Sequence, residues 1–116
     1  MSIYPSKEAS TIYEGRNFTA EWYYDSEGKM PAYAFYQEME ERHRARFLAL
    51  VRYLADASYG TFLPRTDYNI EDWKNSIYAF KPHGARFFNF MTESKKIIVT
   101  NAYYKHSQQM TKADRE

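Results

Sequence analysis

The side chains best suited to chemistry gather late in the chain. They are Lys81, Arg86 and the run Tyr103-Tyr104-Lys105-His106, with His83 in the turn between the first two. Together they suit a phosphodiester. In the cleavage of RNA a 2′-hydroxyl attacks the adjacent phosphorus in line, and negative charge grows on the non-bridging oxygens. Fixed Arg and Lys side chains stabilise that charge, and one such group is worth roughly 10²–10³ in rate. A base must take the 2′ proton and an acid must serve the leaving 5′-oxygen. Histidine is poised for this near neutrality, whereas lysine becomes a base only where neighbouring cations or burial lower its pKa. Tyrosines can stack on splayed bases, worth roughly 1–3 kcal/mol each. The plainer account of the same residues is a set of exposed cations and amphipathic tyrosines at strand ends.

Other catalytic designs are missing. His43, His83 and His106 lack metal-ligand spacing, and no H-E-x-x-H motif occurs. The glycines Gly15, Gly28, Gly60 and Gly84 are too scattered for a phosphate loop, and there is no Gly-x-Ser-x-Gly elbow. The chain has no cysteine, so disulfides and thiolate metal sites are excluded. Its net charge of +1 hides an asymmetry: residues 1–73 carry 8 Lys+Arg against 12 Asp+Glu, and residues 74–116 carry 8 against 3. The basic, aromatic-rich last third is therefore a plausible anion-binding face.

The elements that must position these groups follow from periodicity. A length of 116 residues with 44% apolar content fits one modest domain. Residues 1–16 are polar and without period, so they read as a loosely attached, flexible leader before a single domain at 17–116. Phe18, Ala20, Trp22 and Tyr24 alternate with Thr19, Glu21 and Tyr23, which predicts a half-buried strand. Asp25 to Lys29 is turn chemistry, and Pro31 suits the first turn of a helix. One long helix is expected from there to about Asp56, with Tyr36, Met39, His43, Phe47, Leu50 and Leu54 as its apolar stripe. His43, on that stripe, reads as a packed residue. Glu38–Arg42 and Glu40–Arg44 are i,i+4 pairs, worth roughly 0.2–0.5 kcal/mol each. After a polar connection through Pro64, Asp67 and Asn69, three strands are expected at 77–81, 85–91 and 96–104. Pro82-His83-Gly84 and Thr92-Glu93-Ser94 are their turns. Short turns imply an antiparallel meander. The expected fold is α+β: strand, long helix and three-stranded meander in a small twisted antiparallel sheet. No run of eighteen apolar residues occurs and the first seven residues lack a secretory signal's apolar stretch, so a cytoplasmic location away from membranes is expected.

Phe18-Thr19-Ala20-Glu21-Trp22-Tyr23-Tyr24-Asp25, followed by Gly28, Pro31 and Phe35, resembles the opening of the HigB-like, phage-derived toxins of the RelE/ParE superfamily. Arg44-Ala45-Arg46 with Leu50, Leu54 and Ala55 is similar to that family's long helix. Ile77-Tyr78-Ala79-Phe80-Lys81, Arg86-Phe87-Phe88-Asn89-Phe90 and Ile97-Ile98-Val99 through Lys105 are similar to its three closing strands. The likeness spans about residues 17–112. It implies a RelE-like fold and the toxin role of a type II toxin–antitoxin system. The implied activity is a ribosome-dependent mRNA endoribonuclease that inhibits translation without a metal or other cofactor, partnered by a cognate antitoxin. It implies Lys81, Arg86, Lys105 and His106 as catalytic residues, with Lys105 or His106 as base, and Tyr103, Tyr104 and His83 as substrate contacts. Ala79 stands where the family usually has an acid, Met30 where a capping serine is common, and Gln109 and Thr111 replace Lys and Pro. A gyrase-binding ParE-like toxin and a non-catalytic phage-derived binding module are the alternatives on the same fold.

Overall fold

In a computed structural model, residues 10–57 and 63–104 are described, and they build one sheet and one core. The alternation around Trp22 forms β2 (Thr19–Trp22), with Ala20 and Trp22 buried. Asp25 accepts the N–H groups of Glu27 and Lys29 at its carboxylate, and Gly28 turns the chain at φ +82. Only a residue without a Cβ takes that angle freely. The strands β4 (Ile77–Phe80), β5 (Ala85–Met91) and β6 (Lys96–Tyr104) form the expected antiparallel meander.

Four features differ from expectation. Residues Thr11–Glu14, assigned to the leader, form β1 and pair antiparallel with β2. Their hydrogen bonds come from a partner close by, which a search for apolar period overlooks. The expected long helix is two: α1 (Pro31–Gln37) and α2 (Glu41–Asp56). Glu40 is extended between them at φ −60, ψ 149, yet Met39 stays buried, so the apolar stripe runs through the break. The i,i+4 pairs are rerouted with it. Glu40 takes Arg42 at 3.2 Å, and Arg44 donates to the Gln37 carbonyl at 3.3 Å. The polar connection contains a further strand, β3 (Tyr68–Asp72), paired with β4. Finally the sheet is mixed, in the order β1-β2-β6-β5-β4-β3, because β2 and β6 lie parallel. The two helices between β2 and the meander supply the long crossover that a parallel neighbour needs.

Both helices pack on one face. Phe47 of α2 is fully buried at its centre, 4.1 Å from the Phe87 ring and 5.7 Å from Trp22, centroid to centroid. Met30 caps α1 by burial instead of by a hydroxyl, and makes no side-chain cap bond. No helix among the described residues is long and apolar enough to cross a membrane.

The end of α2 is tied to β1. The Ala55 carbonyl accepts the N–H groups of Asn17 and Phe18, and a Cβ on Gly15 would lie 2.6 Å from that same oxygen and from the Ala55 Cβ. Gly15→Ala is therefore expected to cost about 1–3 kcal/mol in urea melts, because backbone must shift to admit a methyl group. The Asp56 carboxylate accepts the Tyr13 hydroxyl at 2.7 Å and the Arg16 N–H at 3.0 Å. These two bonds, the hydroxyl first, hold its carboxyl below the usual range. Such a group stabilises the fold fully above the unfolded carboxyl pKa of about 3.9, and the contribution disappears as pH falls through the lower folded value. In thermal melts at about pH 6 and about pH 3, Tyr13→Phe should lose less stability on acidification than the parent chain. Equal losses would detach this pair from the acid limb.

Candidate functional site

The alternation of β5 sends Ala85, Phe87 and Asn89 into the core and Arg86 and Phe88 to the opposite face, which no described helix covers. On that face Tyr103 of β6 stands directly across from Arg86 in the strand register, and its ring stacks on Phe88 at 5.3 Å. Lys81 follows β4 and joins Arg86 through a third residue, Glu71. The Glu71 carboxylate accepts an ion-paired hydrogen bond from Arg86 Nη1, and the same oxygen lies 3.9 Å from Lys81 Nζ. Lys81 Nζ also donates to the Arg65 carbonyl at 3.5 Å. The three charged side chains are 13%, 19% and 22% exposed for Arg86, Lys81 and Glu71, so the cluster is largely withdrawn from bulk water.

Local structure explains how Glu71 gets there. The register of β3 against β4 shifts between Ile70 and Asp72, so Glu71 is the extra residue of a β-bulge. Bulges re-aim side chains and mark sheet edges, and β3 is an edge strand. Tyr68 anchors the strand from its other side, donating its hydroxyl to buried Asn89 of β5 at 2.9 Å. Burial, and the neighbouring Tyr78, push that hydroxyl's pKa well up, which keeps it a donor. Ala79, where the resemblance expects an acid, is fully buried on the site's face, across from Phe88. The carboxylate comes instead from Glu71, one strand over.

The structure thus brings Arg86, Lys81 and Tyr103 to one face. It separates Tyr104 and His83 from them. Tyr104 points the opposite way, with its ring 4.8 Å from Phe35 of α1. His83, at φ +47 in the 3₁₀ turn Pro82–Gly84, stacks on His43 of α2 at 4.3 Å. His43 is packed as expected, its side chain 17% exposed. Lys105 and His106 lie outside the described residues. Sequence reasoning missed Glu71 and Phe88. Tyr68-Asn69-Ile70-Glu71 alternates with the period of a strand, and that signal could have placed Glu71 on the same side as Asn69.

Chemically, two cations and one carboxylate leave the cluster with a net positive charge beside a pair of stacked rings. That arrangement suits a phosphate with an aromatic base attached. No family model matches the chain, and no curated protein matches it.

Proposed function

We propose that this chain is a cytoplasmic RelE-like toxin of the HigB-like group that cleaves mRNA on the ribosome and is held in check by a cognate antitoxin. The observation that carries the reading is the convergence of Arg86 and Lys81 with Tyr103 on the helix-free face of the sheet. In this reaction the 2′-oxygen forms a bond to phosphorus while the bond to the 5′-oxygen breaks, leaving a 2′,3′-cyclic phosphate and a 5′-hydroxyl. Arg86 and Lys81 stabilise the charge on the non-bridging oxygens, and Tyr103 with Phe88 supports a neighbouring base. The ribosome contributes alignment of the nucleotide, the part of the barrier a small open site supplies least well. Lys105 or His106 takes the 2′ proton as base in this scheme, and water supplies the proton that the leaving 5′-oxygen gains.

The test is inducible expression in a bacterial host with 5′-end mapping of a reporter mRNA, translated and untranslated. Cuts confined to translated frames, and lost with Arg86→Ala, are the expected result. Growth arrest without cuts would redirect the reading to gyrase or another target. Absence of arrest would favour a binding module that has lost activity.

A further inference from the structure

We propose that the Glu71 carboxylate is the resident occupant of a phosphate-sized anion site between Arg86 and Lys81, and that a phosphate group binds there by displacing it. The inference rests on reading this face as phosphate-binding, and it adds what keeps the site closed when no substrate is present.

Three observations carry it. A single oxygen of Glu71 contacts both cations, which arrive from different parts of the meander. A phosphate oxygen would make the same two contacts, since a guanidinium fork donates to carboxylate and phosphate oxygens alike. The cations are also held more firmly than the carboxylate. Arg86 belongs to β5, which is flanked on both sides, and the Lys81 N–H donates to the Asp67 carbonyl at 2.8 Å. Glu71, in contrast, is the bulged residue of an edge strand with a neighbour on one side only. When a stronger anion arrives, the carboxylate is the partner with room to leave. The alternative role, in which Glu71 merely braces Arg86, makes the opposite prediction for its removal.

The probe is inorganic phosphate, titrated at constant ionic strength and followed by NMR through the Arg86 Nε–Hε signal. Glu71→Gln removes the competing charge at nearly constant size. It is expected to bind phosphate about tenfold tighter than the parent chain, as loss of one unit charge at this range allows. Glu71→Gln combined with Arg86→Ala, followed through the backbone amide signals of β5, should lose that gain. Equal or weaker binding by folded Glu71→Gln would overturn the proposal and make Glu71 a brace. If that variant does not fold, the parent chain decides the matter. Saturating phosphate should shift the Glu71 carboxyl carbon signal together with that of Arg86, and an unmoved Glu71 signal would overturn the proposal. Tight phosphate binding in a chain that never cuts RNA would leave this inference standing and remove the endonuclease reading alone.

Discussion

Phe47→Ala is expected to cost about 3–5 kcal/mol, a large part of what a domain of this size has to spare. The ring is fully buried and meets aromatic neighbours from four elements. Phe87 and Trp22 stack on it, Phe80 approaches edge-on at 5.8 Å, and Tyr36 closes the side facing α1 at 5.8 Å. Those partners sit on strands and a helix fixed by other contacts, so they cannot all collapse into the space left behind. The cavity therefore persists and adds to the lost transfer energy. Urea melts should show a lower midpoint with an unchanged slope. Phe47→Leu separates the two contributions. It keeps most of the volume and gives up the ring faces, whose pairing adds roughly 0.5–1.5 kcal/mol per contact beyond burial. A melt for Phe47→Ala within 1 kcal/mol of the parent would mean that the core relaxes around the gap.

The residues that pack Phe47 were also the ones most legible in sequence. Ala20 and Trp22 alternate, Phe47, Leu50 and Leu54 recur at helical steps, and the strands from Ala85 and from Lys96 begin and end where their turns predict. These are local patterns with a single period, set by which face must leave water. What escaped was set by distance or by exception. The parallel pairing of β2 with β6 depends on residues some eighty positions apart, and nothing in either segment encodes the direction of its neighbour. The break at Glu40 keeps the apolar stripe in phase, so periodicity passes over it. Glu71 was hidden because a bulge displaces it from the register, and because its acid stands on a different strand from the position where one was expected. Arg86 and Tyr103 could be named from the chain, and the pairing of β5 with β6 set them side by side. Their link to Lys81 runs through Glu71, on a strand whose short alternation sits inside a polar stretch that reads as a connection.

Replacing Arg86 carries the second large effect, and its logic depends on Glu71. Arg86→Ala removes the group proposed to stabilise the charged phosphate, and cutting should slow by about 10²–10³. It also strips a largely buried carboxylate of its guanidinium, leaving Lys81 as the ion-pair partner seen in the structure. The stability cost of that should be roughly 1–3 kcal/mol. Arg86→Lys keeps the charge but not the planar fork, so it should regain stability more fully than cutting rate. Stability and chemistry can then be pulled apart by adding Glu71→Gln to Arg86→Ala. The unpaired charge is gone in this double variant, so the melt should recover toward the parent while cleavage in a translating extract stays low. Recovery of both together would show that Arg86 matters only as the counter-ion of Glu71, and the phosphate would need another partner. Recovery of the melt alone would tie Arg86 to the reacting phosphate and leave Glu71 as the group that must give way to it.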